Sequence, residues 1–332
     1  MKSVHIVARK NGVGIDRDVA IMEAVLSSGH DVDYRSQKRP ESLWKQIVAS
    51  MSSRQTRDNS DLYLLTERIP FLLGRLPGCV ALVPNQERFP KRHTQRLKHV
   101  DHILCKTRHA ETVFSGFGPA VHYVGFTSFD RQLADETPDY SRFFHWAGRS
   151  TLKGTATLLA AWSRHPEWPQ LTLVQAPENA PANVPKNVRL ITEFIPDNEL
   201  CRMQNRHGIH LCPSLSEGWG HYIVEAMSCS AVVVTTDGPP MNELVTADRG
   251  VCVPWHNSAP RHLGTNWHVS VEAIEAAVES VIAMTNTEKM RLGRAARRWF
   301  EVNDIEFRHR FADTVSKLFF NDSRAEPLRR AG

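Results

Sequence analysis

The stretch IHLCPSLSEGWGHYIVEAM, residues 209–227, has the pattern of a strand, a turn and a helix. Its short apolar run is typical of a strand buried in a parallel sheet. Gly218 and Gly220 allow the backbone to approach a ligand closely in the turn that follows. The helix after the turn directs its positive dipole end and its first-turn N–H groups at the same place, which favours an anion. Because Glu217 and Glu225 flank this junction, the stretch predicts a ligand site with a carboxylate on each side.

The two glutamates also fit a simpler interpretation. In that interpretation Glu217 caps the helix and Glu225 is a solvated acid on the helix surface. The residues around Glu225 are mostly apolar, as expected for a buried helix, so a surface position is less natural for this carboxylate.

Short apolar runs alternate with helical patterns on both sides of this stretch. The alternation predicts an α/β fold with two Rossmann-like, doubly wound parallel-sheet domains and a helical C-terminus. The polar segment 127–142 is the best candidate for the linker between them. We expect the domains to face each other across a cleft, with ligands bound beyond the carboxyl ends of the strands. The expected bounds are 1–130 for the first domain, 140–302 for the second, and about 303–332 for a terminal helix that packs back on the first; within the tail, helices are predicted at 271–284, 288–301 and 307–320.

The composition is that of a globular protein. The chain has 332 residues, which is more than one ordinary core requires, and its net charge of +5 is compatible with anionic substrates. No apolar run is long enough to span a membrane, and the N-terminus reads as a first strand rather than a signal peptide. The six cysteines are scattered without a CxxC pair, which predicts reduced thiols, no structural zinc and a cytoplasmic location.

Two further segments have the residues of a phosphate site. In GRSTLKG, Arg149 and Lys153 lie four apart at a strand-to-helix junction beside Gly154. A planar guanidinium and a point-like ammonium suit a diphosphate, although basic residues at loop ends are usually only solvated. In KNGVGID, Gly12 and Gly14 precede a helix but lack the third glycine of a dinucleotide-binding fingerprint.

Taken together, these segments resemble the retaining, family-four (group 1) glycosyltransferases of the GT-B fold over nearly the whole chain. The E-x7-E motif from Glu217 to Glu225 is the strongest element, and GRSTLKG and TTDGPPMNELV match neighbouring segments of the family. The resemblance implies an acceptor-binding first domain and a donor-binding second domain. It implies a hexosyltransferase-like enzyme that moves a sugar from a nucleotide diphosphate sugar, with UDP- or GDP-sugars favoured, and that needs neither cofactor nor metal.

The resemblance also assigns roles to residues. Glu225 would hold the donor ribose, and Glu217 would contact the donor sugar together with the turn amides. Arg149 and Lys153 would stabilise the charge that grows on the diphosphate leaving group. The implied donor-binding set is Gly12, Gly14, Arg149, Lys153, Glu217, Gly218, Trp219, Gly220, His221 and Glu225; the implied catalytic set is Glu217, Arg149 and Lys153.

The sequence departs from the family after the fourth strand of the first domain. Many relatives have a histidine there, whereas this chain has Pro84 and Asn85. Asn85, Glu87 or His221 could fill part of that role, and Glu87 could equally be a surface acid. Lys106 is a weaker candidate for the acceptor side, since Thr107 after it is expected to cap the next helix.

The run RFPKRHTQRLKH, residues 88–99, is the densest basic segment. The simpler interpretation is a solvated helical face; the alternative is contact with a polyanionic acceptor, such as nucleic acid or a lipid phosphate, or with the surface of an anionic membrane. The acceptor itself is not identified by the sequence. A non-catalytic nucleotide-sugar binding protein is the other alternative, but retention of all four charged site residues argues against it. A sugar phosphorylase or a nucleotide-sugar epimerase is a second enzyme class on the same fold, and the chain length argues against a phosphorylase.

Overall fold

The computed structural model describes residues 3–8, 14–36, 61–69 and 78–321. Within them the chain forms two compact units. The first unit takes the described residues up to Phe126 and those from Ile305 onward, and the second takes Thr127–Asp304. The sequence analysis expected the first domain to end at 130 and the second to run from 140 to 302.

The first unit is built on a six-stranded sheet in the order β2-β1-β3-β4-β5-β6, with every neighbouring pair parallel. Its strands are β1 (Ser3–Ala8), β2 (Asp31–Ser36), β3 (Leu62–Thr66), β4 (Cys79–Val83), β5 (His102–Cys105) and β6 (Ala120–Tyr123); its helices include α1 (Gly14–Leu26) and α2 (Arg108–Phe114), with 3₁₀ segments at Gln86–Arg88 and Lys91–His99. All residues of β3 and β4 are buried, as expected for parallel strands covered on both faces. Thr107 caps α2 as predicted, because its Oγ1 accepts a hydrogen bond of 3.0 Å from the Ala110 N–H.

The second unit contains a second parallel six-stranded sheet, in the order β12-β11-β10-β7-β8-β9. Its strands are β7 (Asp139–Gly148), β8 (Leu171–Gln175), β9 (Val188–Ile191), β10 (His207–Cys212), β11 (Val232–Thr236) and β12 (Gly250–Val253). Its helices are α3 (Thr155–Arg164), α4 (Asp197–Arg206), α5 (His221–Ser228), α6 (Met241–Leu244) and α7 (Val271–Ala283), with a 3₁₀ turn at Pro177–Asn179. The prediction of two Rossmann-like parallel-sheet domains is confirmed.

The second unit also carries an antiparallel hairpin that the sequence analysis missed. Its strands are β13 (Trp255–Arg261) and β14 (Gly264–Val269). The hairpin is tied to the main sheet's loops, because the Trp267 N–H donates to Leu215 O at 2.7 Å and the Trp267 indole N–H donates to Pro239 O at 2.9 Å. Residues 254–270 are too polar and too rich in turn formers to stand out as strands without these tertiary contacts.

The C-terminal tail differs from the prediction of separate helices at 288–301 and 307–320. It is one continuous helix, α8 (Asn286–Asn321), which begins in the second unit and whose residues from Ile305 belong to the first. No glycine or proline interrupts residues 302–306, so nothing in the local sequence ends the helix there.

Among the described residues, no helix is long and apolar enough to cross a bilayer. All six cysteines are free thiols, as predicted. Burial raises the pKa of the Cys105 thiol to about 12, which keeps it protonated and unreactive at neutral pH.

The first unit should depend on the second half of α8 for its stability. Phe307, Phe311 and Val315 are completely buried there, and the Phe307 ring lies 4.9 Å from that of Phe126. We therefore expect Phe311→Ala to lower the free energy of unfolding by about 3–5 kcal/mol in urea titrations followed by circular dichroism. Ile305→Ala is the matched control on the same helix, since this side chain is 57% exposed and should cost less than about 0.5 kcal/mol. Equal losses in the two variants would contradict the packing described here.

Candidate functional site

The candidate site lies at the carboxyl ends of neighbouring strands of the second sheet. β10 ends at Cys212, and the turn that follows ends at Gly220, where α5 begins. Gly220 has φ +106°, a conformation that side chains rarely adopt, and its carbonyl accepts hydrogen bonds from the N–H groups of Ile223 and Val224. This left-handed residue turns the chain sharply, so that the helix starts directly at the edge of the sheet.

Lys153 and Glu217 are brought together across two loops. Lys153 Nζ lies 2.5 Å from Glu217 Oε1, and the two side chains are only 16% and 14% exposed. The same ammonium group lies 3.6 Å from the centroid of the Tyr222 ring. Ser214 Oγ donates to Glu217 Oε1 and lies 2.6 Å from the Tyr222 hydroxyl. Charge, hydrogen bonds and the aromatic face therefore fix the ammonium and the carboxylate in one place.

The backbone explains why these loops meet. β7 and β10 are parallel neighbours, so their following segments leave the sheet at the same edge. The Leu215 N–H donates to Leu152 O at 2.8 Å, which ties one loop to the other. Gly154 has φ +73°, and a Cβ there would overlap Pro213 O. Only glycine lets the GRSTLKG segment pass this closely under the β10 turn, which accounts for the Lys-Gly pair.

His145 supports the same junction from within the sheet. Its Nδ1 lies 2.7 Å from Leu211 O and its Nε2 lies 2.9 Å from Thr155 Oγ1, so it connects β7 to β10 and to the start of α3. The side chain is completely buried. Burial lowers its pKa to about 4, and the nearby Lys153 charge acts in the same direction.

Arg149 lies apart from this buried cluster. Its side chain is 76% exposed, and its Nε lies 3.3 Å from Glu178 Oε1. Asn179 Nδ2 donates to the Arg149 carbonyl and so fixes the backbone of the loop rather than the side chain. An exposed pair of this kind is weak, so a ligand anion can replace Glu178 as the partner of the guanidinium at little cost.

Glu225 has different surroundings from Glu217. It is completely buried, and its Oε2 accepts a hydrogen bond of 3.1 Å from Gln204 Nε2 on α4. Gln204 in turn accepts from Arg131 Nε, and Arg131 Nη1 donates to Asp197 Oδ2 at 2.7 Å. The simpler interpretation of Glu225 as a solvated acid on the helix surface is therefore wrong, because its carboxylate belongs to an internal network.

The aromatic and imidazole groups of the turn contact Ser128. Trp219 is buried, and its indole N–H donates to Ser128 Oγ at 3.2 Å. His221 Nδ1 lies 2.9 Å from the same hydroxyl. The turn is thereby attached to the segment that begins the second unit. Gly218, between Glu217 and Trp219, is buried as well.

The first unit groups the residues expected on the acceptor side. Lys106 forms a buried ion pair with Asp18 and donates to Asn85 Oδ1 at 3.1 Å. Asn85 Nδ2 donates to Glu67 Oε1 at 3.3 Å, so the amide orientation is fixed from both sides. Glu67 has φ +60°, an uncommon conformation for a residue other than glycine. Glu87 is buried rather than a surface acid.

The other predicted positions in the first unit are the two glycines before α1 and the basic run. Gly14 is the first residue of α1, and Gly12 lies outside the described residues. The basic run forms the 3₁₀ segment Lys91–His99, in which Arg96 donates to Ile69 O at 3.0 Å. Lys91, Arg92 and Lys98 are exposed, so its contact with a polyanion stays a prediction.

Sequence reasoning missed the residues that support the predicted ones. Each is polar and buried, and all but Ser214 are distant in sequence from their partners; they are Asp18, Glu67, Ser128, Arg131, Gln204 and Ser214. A polar residue within an apolar helical pattern, such as Asp18 in α1, was the only signal available. In the described part of the chain, no group of three or more His, Cys, Asp or Glu side chains is arranged to hold a metal ion.

Comparison with protein families gives one match. Residues 180–299 match the family described as glycosyl transferases group 1. This range contains the β10 turn, α5 and both glutamates of the E-x7-E motif. No curated protein sequence matches the chain significantly.

Comparison with solved structures gives full-length matches of low identity. A sucrose-phosphate synthase from Thermosynechococcus elongatus superposes with a TM-score of 0.71 at 14% identity, covering 97% of this chain and 100% of that one. A glycosyltransferase from Rickettsia africae gives 0.70 at 11%, covering 98% and 99%. HepE from Anabaena, in complex with UDP and glucose, gives 0.67 at 12%, covering 97% and 100%. At these identities the likeness concerns the fold.

The buried histidines should make the second unit sensitive to acid. His145 and His210 both have their pKa lowered to about 4 by burial. Between pH 6.5 and pH 4 the unfolded chain binds their protons and the folded chain does not, so stability falls as the pH falls through this range. We expect His145→Asn to remove about one proton from the slope of unfolding free energy against pH, or roughly 3 kcal/mol across the range. His210→Gln should do the same, and the double variant should remove both contributions; an unchanged slope in all three would contradict the assignment.

Proposed function

We propose that this chain is a retaining, metal-independent hexosyltransferase, since its residues 180–299 match the group 1 glycosyltransferases and it has the GT-B fold. Its donor is a nucleotide diphosphate sugar, with UDP- and GDP-sugars favoured, and its acceptor is a hydroxyl group. The observation that carries the proposal is the contact of Lys153 with Glu217 at the start of α5. This contact combines the cation for a diphosphate with the carboxylate for a sugar.

The donor diphosphate would lie between Lys153, Arg149 and the N-terminus of α5. A helix end and two cations stabilise the negative charge that grows on the leaving group. Lys153 has three N–H donors and can retain Glu217 while it binds a phosphate oxygen. Structures of HepE have been determined with UDP and with UDP-glucose, which supports a uridine nucleotide as the first donor to test.

Transfer with retention needs no protein base opposite the leaving group. The bond between the anomeric carbon and the phosphate oxygen breaks, and its electron pair stays on the phosphate. The acceptor oxygen forms its bond on the same face of the sugar, and its proton passes to the departing phosphate oxygen. Glu217 orients the sugar hydroxyls in this scheme and does not attack the anomeric carbon.

If Glu225 holds the donor ribose, its carboxylate must be accessible to the donor. Its carboxylate is completely buried against Gln204 in this structure. Contact with ribose hydroxyls therefore requires that donor binding opens the surface over Glu225. Gln204 and Arg131 would hold the carboxylate in place while this happens.

A polyanionic acceptor is the second form of the proposal. Lys91, Arg92 and Lys98 are exposed on one short segment of the first unit. A nucleic acid or a lipid phosphate would be attracted to such a segment, and the attraction would weaken steeply with salt.

The stereochemistry of donor hydrolysis tests the mechanism without a known acceptor. The protein is first screened by thermal shift with UDP-, GDP-, ADP- and dTDP-sugars. The α-linked donor that stabilises it is then incubated with water as the acceptor, and proton NMR records the first sugar released. We expect the α anomer before mutarotation. Release of the β anomer would exclude retention, and a screen in which no nucleotide sugar shifts the melting temperature would oppose the function itself.

The role of the ammonium group gives a separate prediction. Because Lys153 and the helix end take the place of a metal cation, donor turnover should be unchanged in EDTA. Lys153→Met should lower kcat at least about 100-fold, through loss of charge stabilisation worth about 3 kcal/mol. Lys186→Met is the control, since this lysine lies in the loop before β9. Inactivation by EDTA that magnesium or manganese reverses would contradict the prediction.

A further inference from the structure

Phe194 is the most exposed large apolar side chain among the described residues, at 90%. Single exposed apolar residues are common on protein surfaces, and Val302 at 55% needs no functional explanation. Phe194 differs in its extreme exposure and in its position. It lies in the loop that follows β9, at the same edge of the second sheet as the candidate site.

Ile195, the neighbour of Phe194, anchors this loop to the interior of the second unit. Ile195 and Ile191 pack with the small apolar cluster of Phe144, Val174 and Leu200. Leu200 lies in the first turns of α4, which begins at Asp197 directly after the loop. Ile195 packs against this cluster, whereas the Phe194 side chain beside it is 90% exposed. The loop that carries the exposed ring is therefore anchored by Ile191 before it and by Ile195 after it.

The strand register relates Phe194 to Arg149. Trp146, Val174 and Ile191 form one row across β7, β8 and β9. Arg149 follows Trp146 by three residues, just past the end of β7, and Phe194 follows Ile191 by three residues, in the loop after β9. At this row, β7 and β9 are two strand spacings apart, or about 10 Å. A ribose with its linked phosphates bridges a gap of this order between a nucleobase and the far phosphate of a nucleoside diphosphate.

The loop after β8 lies between these two positions. Glu178, in the 3₁₀ turn of that loop, contacts Arg149, and Asn179 holds the Arg149 carbonyl. The loops after the three adjacent strands therefore present, in order, a guanidinium, a carboxylate that a diphosphate would displace, and an exposed aromatic ring.

We propose that Phe194 stacks on the nucleobase of the donor and sets much of the affinity for the nucleotide. The proposal rests on the donor function proposed above. A phenyl ring offers a π face to every base without hydrogen-bond readout, so it supplies affinity for nucleotides in general and little choice between bases. The diphosphate of the same donor lies at Arg149 and Lys153.

The test is isothermal titration calorimetry with the tightest binder among UDP, GDP, ADP and dTDP. Phe194→Ala should weaken this nucleotide by about tenfold or more, and Phe194→Trp should restore it. Affinity for inorganic diphosphate should not change in either variant, because it has no base. Val302→Ala is the control for loss of an exposed apolar side chain. Since Phe194 is exposed, none of these variants should change the melting temperature.

A spectroscopic measurement separates stacking from a change in loop shape. The base protons of the bound nucleotide should move upfield in proton NMR with the wild type and with Phe194→Trp, but not with Phe194→Leu. Equal weakening of nucleotide and inorganic diphosphate by Phe194→Ala, or full affinity in that variant, would overturn the proposal. If the wild type binds none of the four nucleoside diphosphates, the donor function itself fails and this inference fails with it.

Discussion

The ion pair between Lys153 and Glu217 joins the two loops on which the candidate site is built. Each charge is largely withdrawn from water, so each needs the other and the hydrogen bond from Ser214 to offset its desolvation. Parallel pairing of β7 with β10 makes this contact available, since both loops leave the sheet at one edge. Gly154 removes the steric obstacle and His145 connects the strands behind it. A site with a preformed ammonium group and carboxylate is suited to a substrate that carries both phosphate oxygens and sugar hydroxyls.

The two glutamates of the E-x7-E motif lie in different structural environments: Glu217 pairs with Lys153, and Glu225 is completely buried. Glu225 lies about one helical turn inside α5 and is enclosed by Gln204 and, through it, Arg131. Arg131 also binds Asp197 at the start of α4, so the network links α4, α5 and the segment that opens the second unit. Removal of one member would leave a buried charge without its partner, which is usually more damaging than loss of the whole group. The network therefore constrains the stability of the second unit.

The first unit has a comparable arrangement at the carboxyl ends of its strands. The ion pair of Lys106 with Asp18 orients Asn85 from one side, and Glu67 orients it from the other. The uncommon backbone conformation of Glu67 lies at this same edge. Strained backbone and buried charges are more often found at functional sites than in the body of a sheet. At this edge the chain has Pro84 and Asn85, the position where the sequence analysis found a departure from the family that the chain resembles.

The sequence alone determined the alternation of strands and helices, the E-x7-E motif, the Arg149–Lys153 spacing and the cap of α2 by Thr107. These features are local: they depend on hydrophobic period, on glycine and on residues within one turn of one another. Only the tertiary structure decided that Lys153 meets Glu217, that Glu225 is enclosed by Gln204, that residues 255–269 form a hairpin and that α8 is a single helix. The side-chain contacts among these join partners far apart in the chain, as with Lys153 and Glu217, which are separated by 64 positions. The type of a residue determines which bonds its side chain can form. Its partner depends on strand order and register, which no local sequence pattern encodes.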